Sequence, residues 1–405
     1  MKHPLRTGHH LQLLQGGHDL FPAMVHAMER ARRLIHLETY IFEFTNAAEQ
    51  VAHALERAAL RGVTVRLVVD GVGTPGIPAG WEERLSRAGV HWRIYAPMGR
   101  LGLLIPSNWR RLHRKLCVVD GVVGFCGGIN IIDDLDDVAL GRLTEPRLDY
   151  SLQVSGPLVA DMQDTMEHLW LRMQVLQSTR QREFRAAWSA LRQSLPGPDR
   201  TGPHGPGPKP GEKGVSAALL LRDNVRHRHD IERAYLKAIG EARHEVLIAN
   251  AYFIPGRKLR RALEMAVRRG VRVRLLLQGK YEHFLQYHSA RPVYQWLLER
   301  GVELHEYVPS ALHAKVAVVD RHWATVGSTN LDPLSLLLAR EANVVTADAG
   351  FVAELYHRLD SHLRTDAQPL ALEQLQQRSW RLRLLDRMAF MVMRAVLFLT
   401  GLRRY

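Results

Sequence analysis

Two short histidine–lysine pairs carry the most legible chemistry in this 405-residue sequence. His113 and Lys115 lie in Leu112-His113-Arg114-Lys115, and His313 and Lys315 lie in Leu312-His313-Ala314-Lys315. Alternate side chains of an extended strand share a face, so each histidine and its lysine point the same way as a small cationic claw. The natural target is an anionic centre. Two claws supply what phosphoryl transfer needs: one imidazole to attack phosphorus and another to protonate the leaving oxygen. The two lysines would neutralise charge on the equatorial oxygens, so no metal and no cofactor is expected. A lone His-x-Lys reads more readily as a satisfied surface or core histidine. Two copies at matching places in a repeat reverse that preference.

Apolar runs follow each pair, Leu116 to Val119 and Val316 to Val319. Runs of this kind are typical of strands buried on both faces, which would hold the claws rigidly. Asp120 and Asp320 complete each motif but fall beyond the strand end, and a turn role is expected for them more than a chemical one. Downstream, Gly127-Gly128-Ile129-Asn130 and Gly327-Ser328-Thr329-Asn330 correspond. Small residues there would let backbone approach a phosphate, with Asn130, Ser328 and Asn330 donating hydrogen bonds to its oxygens. Asp149 and Glu341 are the expected carboxylates that hold the far ring nitrogen of a histidine. For Asp149 an ordinary surface ion pair is the alternative, because the loop before it is longer than its counterpart.

The elements that must position these groups are themselves duplicated. Arg61-Gly62-Val63-Thr64-Val65-Arg66-Leu67-Val68-Val69 recurs as Arg269-Gly270-Val271-Arg272-Val273-Arg274-Leu275-Leu276-Leu277. Each copy follows an amphipathic pattern, Val51, Leu55 and Ala58 or Leu259, Leu263 and Ala266, so both predict helix, turn and buried strand. Gly89-Val90 and Gly301-Val302 match next, ahead of the His-x-Lys strands. Four segments follow from this: a first half over 1–195, a Gly/Pro-rich linker over 196–214, a second half over 215–365 and a basic apolar tail over 366–405. A helical pattern runs from about Leu158 to Leu195.

Length supports two domains, and 46% apolar with 24% charged residues is globular composition. The net charge of +14 favours an anionic partner, either nucleic acid or an acidic lipid surface. Two cysteines, Cys117 and Cys126, are too few for a disulfide framework and are expected to be free and packed near the catalytic strands. No apolar h-region follows Met1 to Arg6, so no secretory signal is expected, and no apolar run is long enough to span a bilayer. Asp133-Asp134-Leu135-Asp136-Asp137 lacks the glycine and spaced glutamate of a calcium loop and reads as a solvated loop. His227 and His229 read as surface residues.

The paired His-x-Lys-x4-Asp motifs resemble the phospholipase D superfamily over about Leu11 to Val345. Leu37-Glu38-Thr39-Tyr40-Ile41-Phe42 and Gly327-Ser328-Thr329-Asn330-Leu331-Asp332-Pro333 resemble in particular the bacterial cardiolipin synthases of the shorter B-type. The resemblance implies an α/β fold of two repeated α/β/α sandwich halves, each with a mixed central sheet, packed as a pseudo-twofold pair around one site. It implies phosphatidyl transfer between phospholipids through a phosphohistidine intermediate, with phosphatidylglycerol or phosphatidylethanolamine as donor and phosphatidylglycerol as acceptor. By family habit His113 is the nucleophile and His313 the acid and base, an assignment a near-symmetric sequence leaves open. Ala339 departs from the family, which usually carries Asn there.

Two segments suit an anionic phospholipid membrane. One is the insertion 99–111 with Trp109 and its arginines. The other is the tail from Arg378, in which Met388 to Met393 and Ala395 to Leu399 flank Arg394. Folding of either segment onto the protein's own core is the alternative. Peripheral attachment to the cytoplasmic face of the bacterial inner membrane is expected, with phospholipid substrates and no nucleic acid. A metal-independent nuclease and a non-catalytic membrane scaffold are the competing readings; sparse aromatic residues speak against the first and two intact motifs against the second.

Overall fold

A computed structural model describes residues 4–98, 102, 109–180, 214–223 and 227–399. Most of the insertion before His113, the linker 196–214 apart from Gly214, and the end of the tail lie outside these residues. The first half runs β1 (Arg6–Gln15), α1 (Gly16–Glu29), β2 (Leu34–Thr39), α2 (Asn46–Leu60), β3 (Thr64–Asp70), α3 (Ala79–Ala88), β4 (His91–Tyr95), β5 (Lys115–Val119) and β6 (Val123–Gly127). It ends with a two-stranded flap, β7 (Asp136–Asp137) and β8 (Gly141–Arg142), then β9 (Tyr150–Ser155) and α4 (Leu158–Arg180).

The second half repeats the series as β10 (Val215–Arg222), α5 (Asp230–Glu241), β11 (Glu245–Asn250), α6 (Arg257–Arg268), β12 (Arg272–Gln278), α7 (Phe284–Leu298), β13 (Glu303–Tyr307), β14 (Lys315–Val319) and β15 (Trp323–Gly327). It continues with α8 (Pro333–Leu337), β16 (Glu341–Thr346) and α9 (Ala349–Thr365), and closes with β17 (Ala367–Pro369), α10 (Leu372–Gln376) and α11 (Trp380–Leu399).

The expected helix–turn–strand units appear at α2–β3 and α6–β12. Val51, Leu55 and Ala58 of α2, and Leu259, Leu263 and Ala266 of α6, are buried on one face. That stripe, spaced at three and four residues, is what lets each helix lie on the sheet.

One mixed sheet of 15 strands passes through both halves in the order β17-β13-β12-β11-β14-β15-β16-β10-β1-β9-β6-β5-β2-β3-β4. The order is mirrored about the β1–β10 seam, where the antiparallel strands pair Arg6 with Ala217. Helices α1, α2 and α3 cover one face of the first half, and α5, α6, α7 and α11 cover the equivalent face of the second. A third apolar cluster, with Leu116, Val118, Leu312, Val316 and Ala342 buried together, joins the halves. The fold is therefore the expected α/β pair of repeats.

Topology places the claws. Strand β2 runs parallel to β3, whereas β5 runs antiparallel to β2, so β5 starts where β2 and β3 end. Strands β11, β12 and β14 repeat this, pairing Asn250 with Lys315. Both histidines thus precede a fully buried strand at the carboxyl edge of the parallel strands, where α/β sheets commonly take their ligands.

Candidate active site

The two halves exchange backbone at the histidines. His113 and Arg114 N–H groups both donate to Arg340 O, at 3.0 and 2.8 Å, and His313 N–H donates to Leu148 O at 2.8 Å. Residues Glu341 and Asp149 follow immediately, and each carboxylate is carried to the histidine of the opposite half. Glu341 holds His113 Nδ1 at 3.0 and 3.1 Å from its two oxygens. Asp149 Oδ2 lies 2.6 Å from His313 Nδ1. Both carboxylates are buried, so these bonds compensate a desolvation cost of several kcal/mol. With Nδ1 committed, each imidazole presents Nε2 for chemistry. The surface ion-pair alternative for Asp149 does not hold.

Lys115 and Lys315 are buried beside their histidines, and each Nζ donates to the carbonyl of its own histidine. Burial pulls Lys115 down to about 7 and Lys315 to about 8, and each lysine's neighbouring cations add to the effect. Burial also lowers His113, against the pull of Glu341, and lowers His313 well below its ordinary value, helped by Lys315. Asp149 is pushed up to about 6, again by burial, with Lys315 opposing. Lys115, Lys315 and His113 all act on His313, which marks one shared site rather than two. A bound phosphate would restore charge to the two lysines by supplying the missing anion.

The remaining sequence candidates divide. Ser328 Oγ donates to Glu341 Oε2 at 2.5 Å and accepts from Ala342 N–H, so it fixes the carboxylate rather than facing outward. Asn130 Oδ1 accepts from Ile41 N–H at 3.2 Å and fastens a loop. Asn330 Oδ1 is buried with no hydrogen-bond partner among the described residues. The small residues have a different purpose from the one expected: a Cβ on Gly128 would stand 2.4 Å from Asp149 Oδ1, so this glycine makes room for the carboxylate and not for a ligand.

Asp120 and Asp320 are not brought to the histidines. They stand at the far end of β5 and β14 with positive φ, 53° and 51°. Asp120 accepts from the N–H groups of Arg32, Arg33 and Leu34, and Asp320 from those of Arg243, His244 and Glu245, all at 2.7–2.8 Å. A carboxylate engaged by three backbone donors at the opposite end of the strand is a turn lock, the role expected from its place beyond the strand end. The acidic run fastens its loop to the starts of α1 and α2 and to the flap: Asp134 accepts from Gly17 N–H, Asp133 from Ala47 N–H and Asp136 from Arg142. Cys117 and Cys126 are free and buried as expected.

Sequence reasoning missed several neighbours of the site. Tyr40 lies over His113 with ring centroids 5.0 Å apart. Asp70 engages Arg111 Nε at 3.1 Å and Leu112 N–H at 2.7 Å. On the His313 side, Tyr252 OH donates to Glu282 at 2.5 Å. Strand-end alignment was the available signal, since Asp70 and Gln278 close equivalent strands.

Comparison with known proteins agrees with this geometry. The family model described as cardiolipin synthase, PLD-like domain, matches residues 24–135 and 235–363. The chain is 38% identical to cardiolipin synthase B of Escherichia coli (strain K12), covering 94% of this chain and 86% of the relative. It is 30% identical to a cardiolipin synthase of Geobacillus thermodenitrificans (strain NG80-2), covering 95% and 72%. The crystal structure of phosphatidylserine synthase from Haemophilus influenzae Rd KW20 superposes over 98% of this chain and 97% of that one, with a TM-score of 0.68 and 13% identity, which bears on the fold alone.

Proposed function

Since this chain belongs to the cardiolipin synthase family with a PLD-like domain, we propose that it transfers a phosphatidyl group from one phospholipid to the glycerol headgroup of phosphatidylglycerol, forming cardiolipin. The observation that carries the reading is the crossed pairing of His113 with Glu341 and His313 with Asp149, which gives a single phosphorus two oriented imidazoles. His113 Nε2 attacks the donor phosphorus, and the bond to the headgroup oxygen breaks as His313 supplies its proton. His313 then takes the proton of the incoming glycerol hydroxyl, whose oxygen displaces the phosphatidyl group from His113. Lys115 and Lys315 balance the charge on the non-bridging oxygens at both steps.

The donor is phosphatidylglycerol or phosphatidylethanolamine. The enzyme works as a peripheral protein on the cytoplasmic face of the membrane. No helix among the described residues is long and apolar enough to cross a bilayer. Helix α11 supports surface attachment instead. Its inner face docks on α7 through the 2.6 Å contact of His288 Nδ1 with Asp386 and through buried Ala389 and Met393. Its outer face exposes Trp380, Leu384, Met388, Met391 and Val392 among arginines, next to exposed Tyr281 and Phe284 at the start of α7. An apolar face with interspersed arginines suits the headgroup layer of an anionic bilayer.

Incubation of the purified full chain with phosphatidylglycerol vesicles is expected to yield cardiolipin and free glycerol. Absence of both would overturn the reading. Vesicles that also contain phosphatidylethanolamine identify the donor through the headgroup released.

A further inference from the structure

A cleft opens beside His313 at the carboxyl ends of β11 and β12. It is a shallow cleft, partly open to solvent. Tyr252, Gln278, Lys280, Glu282, Gln286 and Arg291 line it. It borders the segment that carries His313: Gln278 Nε2 lies 3.5 Å from Leu312 O, and Ala251 N–H donates to Ala314 O at 3.0 Å, so residues of the cleft lining contact both neighbours of His313. The charge of Glu282 also acts on Lys315.

The polar groups of the cleft specify a ligand. Glu282 accepts from Tyr252 OH on one oxygen and from Gln278 Nε2 on the other, which fixes the carboxylate while leaving lone pairs on both oxygens. Gln286 Oε1 is buried with no hydrogen-bond partner among the described residues, an acceptor that needs a donor from outside. Arg291 is engaged by Glu306 at 2.7 Å. Lys280 bears the remaining positive charge on the lining. Acceptors grouped around one hydroxyl, with a cation beside them, match a neutral polyol attached to a phosphate. An ammonium headgroup would meet the charge of Lys280, and an apolar ligand would strand Glu282 and Gln286.

Among the described residues the first half carries no such arrangement. Asp70, which stands where Gln278 does, is occupied by Arg111, Leu112 N–H and Val72 N–H, and the equivalent of Tyr252 is Ile41.

We infer that this cleft reads the glycerol headgroup of phosphatidylglycerol, its hydroxyls bonded by Glu282, Tyr252 and Gln286 and the acceptor's own phosphodiester facing Lys280. The inference deepens the phosphatidyl-transfer reading and rests on it. In the first step the cleft holds the departing glycerol as its oxygen leaves phosphorus and takes the proton from His313. In the second it presents the acceptor hydroxyl, which gives its proton to His313 while its oxygen bonds phosphorus and the bond from His113 breaks. Tyr252 and Glu282 are positioning residues: they favour a glycerol hydroxyl over water at the phosphatidyl enzyme.

The test uses the full chain on vesicles in which phosphatidyl-p-nitrophenol is the donor and phosphatidylglycerol the acceptor. The measured quantity is the ratio of cardiolipin to phosphatidic acid, that is, transfer to glycerol against transfer to water. Loss of folded enzyme lowers both products and leaves this ratio untouched. Tyr252→Phe, Glu282→Gln and Lys280→Gln are each expected to lower the ratio about tenfold, the loss of roughly one good hydrogen bond or charge contact. A ratio within twofold of the unsubstituted protein for Tyr252→Phe and Glu282→Gln would overturn the inference. So would a drop confined to ethanolamine as acceptor, which would make the cleft an ammonium site. If the unsubstituted protein itself makes no cardiolipin, the transfer reading fails instead.

Discussion

The first and second halves share one scaffold, yet their reaction-centre walls differ in chemistry. Around His113 stand Tyr40, the Asp70–Arg111 pair and Arg340, whose guanidinium lies over Tyr95. Around His313 stand Tyr252, Glu282 and Gln278, with Ala251 where the first half has Tyr40. An arginine-lined wall favours phosphate, whereas a wall of carboxylate, phenol and amide favours hydroxyl groups. Duplication supplied two equivalent imidazoles; divergence of the strand-end residues gave them different neighbours. The outer helices differ in the same direction, because α11 covers only the second half.

The sharpest way to break the comparison is to remove each histidine in turn. His113→Ala and His313→Ala are each expected to lower cardiolipin formation by about 10⁴-fold. With phosphatidyl-p-nitrophenol, whose leaving group needs no proton, His313→Ala should still give a burst of p-nitrophenol and a trapped phosphatidyl enzyme by mass spectrometry. A burst from His113→Ala instead would exchange the roles of the two halves.

Next in size come the crossed carboxylates. Glu341→Gln and Asp149→Asn should each cost about 100-fold in turnover. Glu341→Gln should slow the p-nitrophenol burst, the step of His113, and Asp149→Asn the later transfer, the step of His313. The reverse pattern would mean that each carboxylate serves its own half.

Asp120→Ala and Asp320→Ala test the part of the scaffold that did not diverge. Each removes an acceptor for three backbone N–H groups, and each should destabilise the fold by about 2 kcal/mol, read from denaturant midpoints, with little change in turnover per folded molecule. Unequal costs would mean that the two turns are not equivalent.

The pH profile separates the lysines. Lysine contributes its charge below its own pKa, and burial has brought Lys115 to about 7 and Lys315 to about 8. In the free enzyme phosphate binding should therefore weaken as pH rises through 7 to 8, and kcat/KM should fall on the alkaline side by about tenfold per unit. Because His113 attacks as the neutral imidazole and burial lowers it, the acid limb with phosphatidyl-p-nitrophenol, whose leaving group needs no proton from His313, should lie below the ordinary histidine range. Lys115→Arg keeps its charge and should move the alkaline limb upward; an unmoved limb would assign it elsewhere.

The smallest effects belong to α11. Met388→Ser and Met391→Ser should each weaken binding to anionic vesicles by about fivefold, the loss of roughly 1 kcal/mol of apolar burial. Flotation measures this, and unchanged binding would remove α11 from the membrane surface.

Much of this was legible in the chain. The His-x-Lys pairs, the helix–turn–strand repeats and the turn role of Asp120 and Asp320 all rest on spacing within a few residues. Asp149 and Glu341 were legible as orienters by their matching place after the motifs. Which histidine each would serve was not, because bonds between residues 228 and 164 positions apart leave no local period. Gly128 was misread for a related reason: a glycine announces close approach but not what approaches.

By itself, then, the sequence determined the duplicated scaffold and the candidate side chains of the site, since alternation in strands and a three-to-four spacing in helices are written in neighbouring residues. Tertiary structure decided the crossed carboxylates, the wall of Tyr252 and Glu282, and the docking of α11 by one face only. Those depend on how the two halves of one sheet and their strand-end loops meet, a matter of packing between distant segments that only the closed chain resolves.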